Sequence, residues 1–255
     1  MNAARALWWR DMLRFKREPS RWLGIVAQPL MFWIIIGSGL TSSFKAPGLE
    51  GVSYLEYFYP GTLVMCILFT AIFSSISIIE DRQAGFLQSV LVTPTRPISI
   101  IFGKVMGVTS LTLMQAVLFL LAAPFAHYAV GQIAWGLLFT AIILGSFCLA
   151  SINFAMAWYL NSTQSFHAVM SIILIPLWIL SGSMFPLNGT WLQWIGYINP
   201  MTYITNCVRL ALLGRASIGF DSGKLIAQQF SILALFVVIG FLLALFAMKK
   251  SEENI

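Results

Sequence analysis

Between Lys104 and Arg209 the chain carries no Asp, Glu, Lys or Arg. A water-soluble fold needs charge on its outward faces, and a run this long without any cannot supply such a surface. Composition agrees. Hydrophobic residues make up 59% and charged residues 9%, with a mean hydropathy of +0.85, against about 25% charged in an average soluble domain. This defines an all-α integral membrane protein and excludes soluble enzymes, nucleic-acid binders and disordered chains. The formal net charge of +6 then reads as basic residues facing the cytoplasm and anionic headgroups, with no nucleic-acid partner implied.

Six spans are expected. They run from Trp22 to Phe44, Phe58 to Ile79, about Val105 to Ala126, about Ile133 to Tyr159, about Ala168 to Leu187, and Gln228 to Met248. Each is long enough for the roughly 20 residues a bilayer crossing needs. Their apolar runs are continuous rather than alternating, which favours helices over a barrel. Charge cannot divide the middle of the chain, so turn signals must. His127, Tyr128 and Gly131-Gln132 close the third span, Asn161-Ser162-Thr163-Gln164 separates the fourth from the fifth, and Pro186-Leu187-Asn188-Gly189 ends the fifth.

Orientation follows from the basic residues flanking the spans. With six spans, one side receives Arg5, Arg10, Arg14, Lys16, Arg17, Arg21, Arg82, Arg96, Lys104, Lys249 and Lys250, and the other only Lys45, Arg209, Arg215 and Lys224. Both termini are therefore expected in the cytoplasm, in the inner (cytoplasmic) membrane of a cell. Residues 1–21 read as an interfacial helix. Arg10, Arg14, Arg17 and Arg21 recur at helical spacing, and Ala4, Trp8, Met12 and Phe15 form an apolar stripe that would place Trp8 at headgroup depth. Residues 188–224 are too long for a turn and too apolar for an ordinary loop. Trp191, Trp194, Tyr197, Tyr203 and the break at Asn199-Pro200 suit two short re-entrant helices that dip into the outer leaflet.

Several chemistries lack their residues. No Asp or Glu falls inside the six expected spans, whereas ion-driven carriers usually need an ionisable group at membrane depth. His127 and His167 sit near span ends, and Glu80 with Asp81 reads as part of a surface loop. No catalytic nucleophile–base pair or metal cluster is visible. Cys66, Cys148 and Cys207 read as small buried hydrophobes rather than a disulfide or zinc framework. The nearest approach to a phosphate-binding loop, Gly219 to Lys224, is one residue short and is followed by Leu225. The chain is thus expected to hold no cofactor or metal and to catalyse no reaction of its own. Polar uncharged residues are plentiful in the spans: Gln28, Thr70, Ser74, Ser75, Ser77, Thr109, Thr112, Gln115, Ser146, Ser151 and Asn153. They read as interhelical hydrogen-bonding groups, some of which could line a path at an oligomer interface. Gly103-xxx-Gly107 is a small-residue packing pattern.

The most distinctive segment is the loop over residues 80–97. Glu80-Asp81-Arg82 leads it, a stretch follows that would put Phe86, Leu87, Val90 and Leu91 on one helical face, and Pro94 and Pro97 stop it. A short amphipathic helix of this kind can dock into a cytoplasmic partner.

At this point the chain resembles the membrane subunits of ABC exporters of the type-2 permease family, in the branch of drug-resistance and oligosaccharide-export permeases. Asp81, Arg82, Gly85, Phe86, Leu87, Thr93 and Pro94 match the family's loop, which departs from the pattern at Gln83, where Glu is frequent. Leu180-Ser181-Gly182-Ser183-Met184-Phe185-Pro186 matches the end of its fifth span. Asn199-Pro200-Met201-Thr202-Tyr203, followed by Arg209 and Leu213-Gly214, matches a third motif. The three occur in the family's order along the whole chain. The resemblance implies a single permease domain over 1–255 that pairs with a second permease copy and sits above separate cytoplasmic ATP-binding subunits, which carry the ATP and Mg²⁺. It implies that Asp81, Arg82, Gly85, Phe86, Leu87, Leu91 and Pro94 form the coupling segment toward the ATPase. It also implies that Pro186, Asn199, Pro200, Tyr203 and Arg209 belong to an extracellular lid. Two other readings stay open: a passive channel or ion-driven carrier, and a membrane assembly or lipid-processing protein.

Overall fold

The computed structural model describes residues 3–17, 19–40, 52–86, 96–187, 191–213 and 222–252, and every regular element among them is helical. In chain order these are α1 (Ala3–Lys16), α2 (Pro19–Leu40), α3 (Tyr54–Gln83), α4 (Pro97–Leu120), a 3₁₀ turn (Ala123–Ala126), α5 (Trp135–Tyr159), α6 (Thr163–Trp178), a π turn (Ile179–Ser183), α7 (Gln193–Ile198), α8 (Pro200–Leu213) and α9 (Ser222–Glu252).

Local chemistry sets the boundaries. The Ser53 hydroxyl accepts the Glu56 amide at 3.2 Å and opens α3. Gly85, at φ 72°, takes the left-handed turn that ends it. Pro97 occupies the first turn of α4, where its missing N–H leaves no donor unpaired. Ser162 caps α6 by accepting the Ser165 amide at 3.1 Å. Pro60 lies inside α3 and deprives the Glu56 carbonyl, one turn back, of its helical donor. The Tyr128 hydroxyl fills that vacancy at 3.1 Å.

Among the described residues, five helices are long and apolar enough to cross a membrane: α3, α4, α5, α6 with its π turn, and α9. The first expected span corresponds to a shorter apolar stretch, Val26–Leu40, within α2. Its helix begins at Pro19, three residues before the expected start, and residues 41–51 lie outside the described part. α3 is the central and most deeply buried helix, touching α2, α4, α5 and α8. Phe58, Tyr59, Leu63, Val64 and Ile67 along it are wholly enclosed. α6 and α9 expose most of their surface, as lipid-facing helices do.

The N-terminal helix differs from its expectation. It ends at Lys16 instead of running to Arg21, because a new helix starts at Pro19. It is also rotated. Leu7, Asp11 and Phe15 face inward, and the half-buried Trp8 donates its indole N–H to Ser110 Oγ on α4 at 3.0 Å. Gly103 and Gly107 form the berth. A Cβ on Gly103 would stand 2.6 Å from the Ala4 carbonyl oxygen, and one on Gly107 would stand 3.2 Å from Asp11 Oδ2. The Gly103-xxx-Gly107 pattern is thus the floor on which α1 lies.

The uncharged polar groups are mostly interior. Thr70, Ser75, Thr109, Thr112, Gln115, Ser146, Ser151 and Asn153 are buried within the bundle, so they do not line an outer face of this chain. Gln28 is exposed and Ser74 half-buried. Several threonine and serine hydroxyls bond the carbonyl one turn back, as Thr109 does to Val105 and Ser146 to Ile142. Thr70 has one proton and lies against the carbonyl of Cys66 and the amide of Gln115. The Thr70 hydroxyl is thus shared between the Cys66 carbonyl, at 2.8 Å, and the Gln115 amide oxygen.

Candidate functional site

Two polar constructions occupy opposite ends of the bundle. The first is built on the last turn of α3. Glu80 and Asp81 belong to that helix and not to a surface loop, and Asp81 is only 2% exposed. Lys104, which the sequence places just before the third expected span, sits inside α4 and is also 2% exposed. Its ammonium donates to Asp81 Oδ2 at 2.7 Å and to Asp11 Oδ1 at 2.9 Å. Arg10 grips Asp81 with two nitrogens, at 2.5 and 2.8 Å, and its guanidinium lies 3.8 Å from the centre of the Phe86 ring. Arg14 pairs with Glu80 and approaches Asp81 at 3.7 Å. Three cations thus face three carboxylates. A buried charge is tolerated only when compensated in this way. Burial raises the Asp11 carboxyl above the ordinary carboxylate range, with Lys104 and Arg10 opposing the rise and Asp81 reinforcing it.

Arg82, the next residue, reaches the other way. It donates to the carbonyls of Trp158 and Leu160 at the end of α5 and to Asn161 Oδ1 at 3.1 Å. Those carbonyls have no helical donor, and a cation is favoured beside them. Gln83 adds a bond to the Asn161 carbonyl at 2.8 Å. The two consecutive residues therefore tie α3 to α1 and α4 on one side and to the α5–α6 turn on the other.

Of the residues assigned to the coupling segment, Asp81, Arg82, Gly85 and Phe86 gather here. Leu87, Leu91 and Pro94 lie outside the described residues, as does the expected short helix. Asp81 and Arg82 both spend their side chains within their own chain. Asp11 and Lys104 were missed from sequence. A carboxylate inside a helical apolar stripe, or a lysine just before a span, carries no signal until the helices are packed.

At the opposite end the π turn frees backbone carbonyls, and α3 and α8 supply the donors. Tyr54 donates to the Met184 carbonyl and Tyr57 to that of Gly182, both at 2.9 Å. Arg209 donates to Gly182 O at 3.0 Å and lies 4.5 Å from the centre of the Tyr57 ring. Trp178 donates to the Gly61 carbonyl at 2.8 Å. Gly182 holds φ 78°, and a Cβ on Gly61 would come within 2.6 Å of Ser183. Ser181, Ser183 and Thr205 form a buried hydroxyl cluster, with Ser183 and Thr205 at 3.1 Å.

The residues assigned to the lid spread over this end instead of forming one cluster. Asn199 is wholly buried between α7 and α8, donating to the Leu177 carbonyl at 2.6 Å and accepting the Met201 amide at 3.0 Å. Pro200 starts α8. Tyr203 donates to the Tyr197 carbonyl at 2.8 Å, and Pro186 is half-buried in the bend after the π turn. On α7 and just before it, Trp191, Trp194 and Tyr197 are exposed, as aromatic residues at a membrane interface are. Residues 188–190 and 214–221 are outside the described part.

Among the described residues no three His, Cys, Asp or Glu side chains gather in a way that could hold a metal ion. The three cysteines are buried and unpaired. Apolar helices long enough to span, a basic end braced by buried ion pairs and an opposite end of interrupted helices define a multi-pass membrane protein. Comparison with known proteins gives the family. Residues 2–213 match the ABC-2 type transporter family, and the chain belongs to it. A putative transport permease, ycf38, from Cyanophora paradoxa is 29% identical over 253 residues, spanning 92% of this chain and 84% of its own. The daunorubicin resistance ABC transporter permease protein DrrB1 of Streptomyces coeruleorubidus is 23% identical over 89% of this chain and 81% of its own. The inner membrane transport permease YadH of Escherichia coli K12 is 23% identical over 94% and 92%.

Proposed function

We propose that this chain is the permease subunit of an ATP-driven exporter, working as a dimer in the inner membrane with both termini in the cytoplasm. The force comes from separate ATP-binding subunits, which hold the ATP and Mg²⁺. They engage the segment after α3, where Gly85, Phe86, Leu87, Leu91 and Pro94 lie, together with α1. The domain is one unit over 1–255, with α7 and α8 as the extracellular lid. A drug, lipid or lipid-linked sugar would suit an apolar path between two copies.

One observation carries this reading. The segment after Gln83 leaves α3 directly from Asp81 and Arg82, which grip α1, α4 and the α5–α6 turn. A push on that segment therefore reaches α1, α4 and the end of α5 through a helix end that is held by these pairs. A loop without such bracing would absorb the displacement. Basic residues at the same end favour its placement in the cytoplasm.

The test is purification of the tagged permease in mild detergent, identification of the bound subunit and assay of ATP hydrolysis. A co-purifying ABC ATPase with vanadate-sensitive hydrolysis is expected. Cargo movement by the purified permease alone, without nucleotide, would overturn the reading in favour of a channel or carrier.

A further inference from the structure

Lys104 sits where three helices meet. It is 2% exposed and holds one carboxylate from α1 and one from α3. Neither carboxylate can leave alone. If α3 withdrew Asp81, Lys104 would keep only Asp11, and Arg10 would lose both oxygens it grips. If α1 withdrew Asp11, a buried ammonium would keep a single partner. Removing one member of a buried charge group is far more damaging than removing a matched pair. The berth leaves α1 little room to slide, because Gly103 and Gly107 admit the Ala4 backbone and Asp11 at close range.

We infer that Lys104 is a positioning residue that locks α1 in register with the end of α3, so that the two move as one body when the segment after α3 is displaced. The displacement itself rests on the reading under Proposed function; the lock does not. Packing alone would hold α1 on α4 through Leu7, Trp8 and Phe15 but would not oblige it to follow α3. Arg10 on Asp81 and Arg14 on Glu80 already tie α1 to α3, and the shared ammonium fastens both carboxylates to one point on α4 and so fixes their register. Burial makes Asp11 a poor isolated anion, so the carboxylate depends on Lys104 and is harmful without it.

The test uses the full-length permease in lipid nanodiscs, read by hydrogen–deuterium exchange. Lys104→Met leaves two carboxylates without their common cation, and exchange over residues 7–15 should rise by about tenfold. Lys104→Met combined with Asp11→Asn removes the matched pair and should restore exchange to within about twofold of the wild type. A second arm adds the co-purified ATP-binding subunit with ATP and orthovanadate. In the wild type, trapping should change exchange over residues 7–15 and 77–83 together, and in Lys104→Met the change over 7–15 should be several-fold smaller while Arg10 and Arg14 still hold Asp81 and Glu80. Unchanged α1 exchange in Lys104→Met overturns the lock. So does equal acceleration in the single and double variants, which would make Lys104 a packing residue only. Should no ATP-binding subunit co-purify, the function reading fails while the first arm still decides the lock.

Discussion

Arg209 and Tyr57 share one acceptor: both donate to the Gly182 carbonyl, and the guanidinium lies over the phenol ring at 4.5 Å. An arginine read from sequence as a residue of the outer lid is thus drawn inward to fasten α8 to α3 across the π turn. Arg209→Lys keeps the charge but loses the planar group that stacks and donates at once, at a cost of about 1–2 kcal/mol. Tyr57→Phe loses one hydrogen bond, about 1 kcal/mol. Thermal unfolding in detergent should show both losses, and the double variant should lose less than the two together. A strictly additive result would mean that the residues act separately.

Gly61 allows the α3 backbone to touch the π turn. An added Cβ would stand 2.6 Å from Ser183 Cβ and 2.8 Å from its backbone. Gly61→Ala should destabilise by about 1–3 kcal/mol through overpacking and weaken the Trp178 bond to the Gly61 carbonyl. Gly136→Ala, where nothing lies within 4 Å, is the control and should be neutral or slightly stabilising. Tryptophan fluorescence melts would separate the two, and equal midpoints would refute the close contact.

Gly85 ends α3 with φ 72°. Asn tolerates that region, Ala enters it at a cost of about 1–2 kcal/mol, and Pro cannot adopt it. Exchange over residues 77–84 should therefore rise in the order Gly, Asn, Ala, Pro at position 85. Any other order would show that the turn is not what holds the helix end.

Asp11 makes α1 docking depend on pH. Its carboxyl is raised above the ordinary value by burial, so the docked state favours the protonated form. The contribution is fully present below the ordinary carboxylate pKa and is lost as pH rises through the raised value. The facing groups are Lys104 from α4, Asp81 from α3, and Arg10 and Arg14 on α1 itself, the last paired with Glu80. Above the ordinary carboxylate pKa of about 4, α1 protection corrected for intrinsic exchange should fall with rising pH in the wild type. Asp11→Asn should remove that part of the slope, and identical slopes in the two proteins would contradict it.

The apolar runs located the spans because hydropathy depends on composition alone, although α4 starts at Pro97, well before the expected Val105, and α9 at Ser222, before Gln228. Asn199-Pro200 announced the break between α7 and α8 because Pro bars a continuous helix there. The meeting of Asp11, Asp81 and Lys104 was not legible. They lie on three helices, and the two carboxylates are separated by the first and second expected spans. The apolar stripe of α1 was placed on Trp8 and Met12 because a buried aspartate contradicts a hydropathy count; its cation comes from α4. The π turn was equally hidden, although Ser181-Gly182-Ser183 marked the spot. A glycine between two small hydroxyl residues admits a left-handed φ, but only packed neighbours reveal which donors take the carbonyls.

Asp81 and Arg82 are consecutive on one helix, so their side chains diverge by about 100°. The addition or loss of one residue just before them would swing both away from their partners at once. The connections beyond Gly85 are free to lengthen or shorten as the protein diverges. The spacing within the last turn of α3 is not, and natural variation in chain length should stop at this dipeptide.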